Sequence, residues 1–293
     1  MNDNRKAQIK LICSMLIYGT IGLFRRMLPF SSAMIAILRG LIGSCFLIVY
    51  MKIRKKPIRL KDAANEVPLV LFIGALIGVN WIFLFEAYNY TTVAIATLCY
   101  YMAPVFVIIA AVFVLGERMT VKKIISILLS VIGMILISKT GMHPESDTLD
   151  IRGILFGLLA AALYAAVILL NKKIKKMGVY ERTILQLLSA AFVLIPYQLV
   201  TDGIVIQGTP ISWGLMIFIG IVHTGIAYLL YFGSLTALPT QTVALFSYID
   251  PVTAVLLSAF LLREPLGLSG VLGTILILGA ALINELAVGE HTD

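Results

Sequence analysis

The chain is poor in charge, in cysteine and in histidine. Of its 293 residues only 13% are Asp, Glu, Lys or Arg, about half the share of an ordinary soluble domain. That shortage excludes a water-soluble globule. The three cysteines, Cys13, Cys45 and Cys99, all fall in apolar surroundings without C-x-x-C spacing, which argues against a disulfide framework or a zinc site. Three scattered histidines make no metal set, and H-E-x-x-H is missing, so no metal or other cofactor is expected. There is also no G-x-x-x-x-G-K-[ST] loop. ATP hydrolysis is therefore unsupported, and the chain is not expected to be an enzyme.

What it has instead is apolar length. Hydrophobic residues make up 60% of the chain, gathered in ten blocks at about 10–24, 33–51, 68–85, 92–115, 121–138, 151–170, 183–200, 211–234, 240–262 and 266–286. A helix crosses roughly 30 Å of hydrocarbon in about 20 such residues. The expected fold is an all-α membrane protein of ten transmembrane helices in a lipid bilayer. No A-x-A-like cleavage site follows the first block, so it is expected to persist as a helix. The net charge of +8 lies in joints between blocks, which reads as a topology signal rather than a nucleic-acid surface. Counted from the amino terminus, one side collects 17 of the 23 Lys and Arg residues and the other 5, with Arg39 inside a block. By the positive-inside rule both termini of this multi-pass chain are expected in the cytoplasm, with the cell membrane as its location.

The chain also repeats itself. Slid by 147 positions, Tyr101, Pro104 and Glu117 fall on Tyr248, Pro251 and Glu264 without a gap, and Ala96-Thr97-Leu98 falls on Val243-Ala244-Leu245. Two related halves of five helices follow, residues 1–141 and 142–293. An odd number of spans per half makes the second copy upside down, the inverted-repeat plan of secondary transporters.

Two stretches carry a family likeness. Ala103-Pro104-Val105-Phe106 leading to Leu115-Gly116-Glu117-Arg118-Met119-Thr120, and Asp250-Pro251-Val252 leading to Leu262-Arg263-Glu264-Pro265-Leu266, resemble the paired signatures of EamA-type carriers of the drug/metabolite transporter superfamily. Leu38-Arg39 is similar to the pattern in that family's second helix. The resemblance covers essentially the whole chain. It implies a ten-helix permease whose central cavity is lined chiefly by helices 1, 3, 4, 6, 8 and 9, with export of amino acids or other small metabolites common. The second copy departs from the first in carrying Arg263 in place of Gly116.

Asp250 is the most informative single residue. It lies near the middle of the ninth block, where an ionised carboxylate costs about 2.5–3.5 kcal/mol on insertion scales. It reads as a contact for a substrate amine or as a proton-coupling carboxyl; the bland reading is a carboxylate held permanently by a neighbour. Ser247 and Thr253, three residues either side, share its helix face. In the matching fourth block, Thr97, Tyr100 and Tyr101 stand where symmetry sets Tyr101 opposite Tyr248. Together they suggest an aromatic pocket for a small zwitterion or cation, although each also reads as bundle packing. His223 is a second candidate for proton coupling. Asn80 and Trp81 are further candidates for binding, with Tyr18, Tyr164 and Tyr228 behind them.

Other polar residues carry structural expectations. Arg39, on a helix that the resemblance sets outside the cavity, is expected to form an ion pair or to snorkel. Glu86 is expected at a solvated rim, and Glu117 and Glu264 as joiners of helix ends on opposite faces. Pro104 and Pro251 each remove a helical hydrogen bond, so kinks are expected there. Ser269 and Gly273 permit close helix contact, either within the chain or in a homodimer.

The reading is a secondary active transporter of a small polar metabolite, above all an amino acid or related amine, working outward by alternating access. A multidrug exporter of aromatic cations fits the same tyrosines and acid. An intramembrane enzyme or a nontransporting scaffold stands third, since serine and histidine occur in these helices without a nucleophile motif.

Overall fold

A computed structural model of the chain describes residues 3–55, 61–115, 119–140, 151–201, 203, 208–235, 237–238, 240–264 and 267–289. Gly116, Glu117, Arg118, Pro265 and Leu266 lie outside them. Among the described residues the ordered backbone is helical, with no strand. In order, the helices are α1 (Asp3–Gly19), α2 (Ile21–Arg26), α3 (Ser32–Ile53), α4 (Val67–Tyr90), α5 (Val93–Tyr100), α6 (Ala103–Leu115) and α7 (Val121–Thr140). The second half contributes α8 (Ile151–Asn171), α9 (Val179–Thr201), α10 (Pro210–Ile219), α11 (Ala227–Leu235), α12 (Thr240–Ser247), α13 (Ile249–Phe260) and α14 (Gly267–Gly289). A 3-10 turn, Lys61–Glu66, precedes α4, and a π-helical stretch, Gly220–Ile226, joins α10 to α11. Seven helical stretches are long and apolar enough to cross a membrane, from Asn4–Arg26 to Pro210–Ser234; Ile249–Phe260 and Gly267–Ala280 are shorter apolar helices.

Local chemistry explains where these helices start and break. Ser31 and Thr92 cap α3 and α5 by accepting the amides of Met34 and Ile95 at 3.2 and 3.1 Å, which satisfies one orphan donor at each start. Thr209 does the same for Ser212, ahead of Pro210 at the first position of α10. The breaks follow the prolines. Pro104 has no N–H to donate to Tyr100, and Pro251 none for Ser247, while each ring crowds that carbonyl. The backbone steps out of the helix at Tyr101 and again at Tyr248, between α5 and α6 and between α12 and α13. The two breaks are 147 residues apart, the period of the sequence repeat.

Packing respects the same repeat. α4 packs on α8 and α9; its counterpart, the α10 to α11 unit, packs on α1 and α3. α6 packs on α8 as α13 does on α1, α5 packs on α8 as α12 does on α1, and α3 with α9 and α7 with α14 pair each element with its own copy. One relation breaks the symmetry. α5 meets α13, and α2 meets α4, α5 and α13, whereas α6 and α12 make no comparable contact among the described residues. The contacts that cross between the halves through α2, α5 and α13 thus gather at the end where α2 stops.

The outward faces of α7 and α14 are apolar: Leu128, Ile135, Leu268 and Ile275 keep 52–77% of their surface accessible, a pattern that suits lipid rather than water. Gly273 belongs to the seam between these helices, because a Cβ on Gly133 would lie 2.8 Å from the Gly273 carbonyl oxygen. Close approach matters again at Gly19, where a Cβ would lie 2.6 Å from the Asp250 carbonyl oxygen and from Thr253 Cβ. We expect Gly19→Val to force α1 and α13 apart at a cost of roughly 1–3 kcal/mol. The detergent-purified protein should then melt several degrees lower. Gly214→Ala, where a Cβ meets nothing within 4 Å, should not lower the melting temperature.

Candidate functional site

The break before α13 places Asp250 in the first turn of that helix, where exposed amides and the helix dipole favour a carboxylate. The equivalent break places Tyr101 at the end of α5. The two meet: Tyr101 donates its hydroxyl to Asp250 Oδ2 at 2.7 Å. The flanking hydroxyls do not orient Asp250 by donation. Ser247 donates to the Val243 carbonyl at 2.8 Å and Thr253 to the Ile249 carbonyl at 2.6 Å, both within their own helical segment. A charge-assisted hydrogen bond is worth about 1.5–3 kcal/mol, so Tyr101→Phe is expected to slow initial transport in proteoliposomes about tenfold. The melting temperature should change little, because α5 and α13 keep their apolar contact.

Around this pair stands a wall of tyrosines drawn from both halves. Tyr100 lies 6.4 Å from Tyr101 and 5.3 Å from Tyr164, centroid to centroid. Tyr18 lies 5.9 Å from Tyr228 and 6.4 Å from Tyr231 in edge contacts. Tyr164 is within electrostatic reach of Asp250, Tyr228 and Tyr231, yet it keeps 39% of its surface accessible. A side chain ringed by polar groups from separate helices and still accessible lines a hollow. Tyr18, Tyr100, Tyr101, Tyr228, Tyr231 and Asp250 are all half-buried, as lining residues would be. Tyr248 is half-buried at the second break.

Other candidates are more deeply tied. Thr97 is buried, 3.4 Å from the Tyr88 hydroxyl. Asn80 donates to the Ala160 carbonyl at 2.5 Å, joining α4 to α8. His223, in the π-helical stretch, is 1% exposed and sits beside the rings of Phe24 and Phe218. Its Nε2 lies 2.8 Å from Thr20 Oγ1, whose single proton is directed at the Ile17 carbonyl, 2.7 Å away. The network therefore assigns the proton to Nε2, which donates to Thr20, and leaves Nδ1 as a buried acceptor without a partner.

Arg39 is not at a lipid interface. It is 6% exposed, donates from Nε to Thr224 Oγ1 at 3.1 Å, and holds Cζ 4.2 Å above the Trp81 ring and 5.5 Å from that of Phe85. No carboxylate among the described residues pairs with it. It points inward because α3 packs on both α4 and the π-helical stretch, so neither a snorkelling side chain nor an ion pair describes it. The stripe Trp81, Phe85 and Tyr88, spaced four and three residues apart on α4, was the signal for this inner face. Arg39 with Thr224, and Tyr88 and Tyr231, are what the sequence reading undervalued.

A latch closes the α2 end. Glu264 Oε1 accepts from Arg26 at 3.0 Å, and Oε2 accepts from the Val93 amide at 2.9 Å and from the Ser258 hydroxyl. Ala94 N donates to Ser258 Oγ at 3.3 Å, and Arg26 also reaches the Thr91 carbonyl at 2.7 Å. One carboxylate thus joins the end of α13 to the first amide of α5. It is aimed by Arg263, whose left-handed backbone (φ 55°) turns the chain out of α13, at the place where the first copy has glycine, the residue best suited to such a turn. Nearby, Asn89 bridges Arg25 and Glu86 at 2.9 and 3.2 Å.

Comparison with known proteins agrees with this architecture. The model of the EamA-like transporter family matches residues 5–139 and again 151–285. The chain is 32% identical over 251 residues to the uncharacterized transporter YxxF of Bacillus subtilis (strain 168), covering 86% of this chain and 80% of that one. It is 28% identical to an uncharacterized transporter of Archaeoglobus fulgidus, covering 95% and 96%. It is also 28% identical over 191 residues to the pseudopaline exporter CntI of Pseudomonas aeruginosa, covering 65% and 64%. A solved crystal structure superposes with a TM-score of 0.66 at 19% identity, over 98% of this chain and 99% of the other; that likeness concerns the fold.

Proposed function

The chain belongs to the EamA-like transporter family and is a membrane transporter, not an enzyme; from that premise we propose that it is a secondary active carrier of a small polar metabolite, an amino acid or related amine, and that it works as an exporter of the cell membrane. The observation that carries this reading is the Asp250 and Tyr101 pair in a tyrosine-walled hollow between the two halves. A carboxyl is suited to an ammonium group, and ring faces around it add cation attraction.

In this reading α1 with α2, α5 with α6, α10 with α11, and α12 with α13 are four broken spans, and with the six remaining long helices they make ten. They form two inverted five-helix halves, 1–141 and 142–293. The exchange of packing partners between halves supports that arrangement. The Lys and Arg distribution supports cytoplasmic termini, which sets the Glu264 latch outside and the end without a comparable α6 to α12 contact inside, an inward-facing state. His223 serves as a second proton-handling group beside Asp250, while Thr97, Tyr100, Tyr248, Ser247, Asn80 and Trp81 shape the hollow. The name of the CntI relative supports the outward direction.

The tyrosine wall equally favours aromatic cations, so an exporter of lipophilic cations is the second reading. A melting screen of the purified carrier against amino acids, amines, sugars, nucleosides and aromatic cations, followed by counterflow in proteoliposomes, separates them. Stabilisation and flux with amino acids or small amines support the first reading; response to aromatic cations alone replaces it with the second.

A further inference from the structure

Arg39 is a buried cation whose donors are only partly used. The side chain is fixed from behind: Nε is held by Thr224, and the flat face of the guanidinium rests on Trp81. The Thr224 end is firm because a π-helical turn presents it, and because Gly43, one turn along α3 from Arg39, lets that turn approach the Thr224 side chain closely. The two terminal nitrogens have no hydrogen-bond partner among the described residues. They are not sealed in either, for the buried polar atoms left without a partner are Arg25 Nε, Ser126 Oγ and His223 Nδ1. A planar cation 94% withdrawn from solvent thus keeps its two-pronged donor edge open to the interior, the geometry that receives a carboxylate through two parallel hydrogen bonds.

Asp250 does not satisfy that edge, since the two side chains form no ion pair. They share a neighbourhood nonetheless. Tyr88 lies within electrostatic reach of both, and Tyr18, Tyr100 and Tyr228 are within reach of Arg39. Two opposite charges held in one hollow without touching each other are poorly compensated by the protein alone. A molecule carrying both a carboxylate and an ammonium group compensates them together. We propose that Arg39 binds the substrate carboxylate while Asp250 takes the amine, so that the carrier selects zwitterions over simple amines and over lipophilic cations. This rests on the carrier reading above and narrows its substrate class. The cation selected by Asp250 alone would be repelled by Arg39.

The test uses matched probes that differ by one carboxylate: leucine with isoamylamine, phenylalanine with phenethylamine, and lysine with cadaverine. Binding to the full-length carrier in lipid nanodiscs is measured for wild type, Arg39→Gln, Arg39→Lys and Asp250→Asn. In wild type at least one amino acid should bind about 10–100-fold more tightly than its amine, the loss expected when a charge-assisted pair is removed. Arg39→Gln should lower that amino acid to the level of its amine and leave the amine unchanged or improved. Arg39→Lys should restore part of the preference, because charge returns without the fork. A wild type that binds amines as well as or better than amino acids overturns the clamp but leaves the carrier reading standing, and that comparison needs no variant to fold. An unchanged ratio in a folded Arg39→Gln protein makes Arg39 a packing residue only. Binding of none of the six probes by wild type overturns the amino acid and amine reading together with the clamp.

Discussion

Asp250→Asn should abolish coupled transport while leaving a folded carrier. The substitution keeps the shape of the side chain and an oxygen that can still accept from Tyr101, whose hydroxyl now meets Asp250 Oδ2 at 2.7 Å. What it removes is the negative charge and the ability to take up and release a proton. Loss of a charged partner for a substrate ammonium corresponds to about 1.5–3 kcal/mol, or roughly 10–100-fold in affinity. Loss of a coupling proton is more severe, because the gradient then does no work on the substrate at any concentration. Flux driven by a proton gradient in proteoliposomes should therefore fall to the background of empty vesicles. Exchange of internal for external substrate should survive weakly if the charge only binds, and should persist near the wild-type rate if the charge only couples. Asp250→Glu should recover part of the flux, limited by the close seam with Gly19 behind the α13 backbone. Undiminished gradient-driven flux in Asp250→Asn would remove the residue from the mechanism.

The sequence displayed this site unevenly, for physical reasons. Asp250 stands out because a carboxylate in a run of apolar residues is costly, and Pro104 and Pro251 stand out because a ring without an N–H removes a hydrogen bond inside a helix, although Pro196 stays within an unbroken α9. The 147-residue spacing of Pro104 and Pro251 related Tyr101 to Tyr248, whereas the bond that forms runs from Tyr101 to Asp250, another residue that the sequence singles out. Arg39 was misjudged because its burial depends on which face of α3 meets α4 and the π-helical stretch, and periodicity in a nearly uniform apolar helix carries little about rotation. The π-helical stretch was itself invisible, since no residue of Gly220–Ile226 marks a change from α- to π-helical hydrogen bonding. Ser247 and Thr253 fall on either side of the break at Tyr248, in α12 and α13, and turn their protons to carbonyls one turn back, the default for a hydroxyl in an apolar helix. Glu264 was legible as a joiner of helix ends, though not its partners, because the Val93 amide is 171 residues away in sequence.

Those partners make Glu264→Gln the second substitution with a large expected effect. The carboxylate receives three kinds of donor at once: Arg26 on Oε1, and the Val93 amide and the Ser258 hydroxyl on Oε2. An amide has one oxygen, and its NH2 group would face a donor wherever it replaces the other. The contributions are unequal. Arg26 is 38% exposed, and an ion pair in such a setting contributes about 0–1 kcal/mol. The contacts to Val93 and Ser258 are more enclosed, and the Val93 amide is a first-turn donor of α5 that the Thr92 cap leaves free. We expect Glu264→Gln to shift the balance between sealed and unsealed forms by about 2–3 kcal/mol, some 30–150-fold, and Arg26→Ala to shift it no more than about fivefold. The readout is a single cysteine at position 97, introduced by Thr97→Cys on α5 after Cys13, Cys45 and Cys99 are replaced by alanine. Thr97 is 5% exposed in the sealed form. A membrane-impermeant maleimide applied to whole cells should label it slowly in the parent, almost as slowly with Arg26→Ala, and fast with Glu264→Gln. Equal, slow labelling in all three would mean that the α2 end is held by apolar packing and that the carboxylate is no latch. Fast labelling with Arg26→Ala as well would assign the seal to the ion pair instead of to the backbone amide that Glu264 caps.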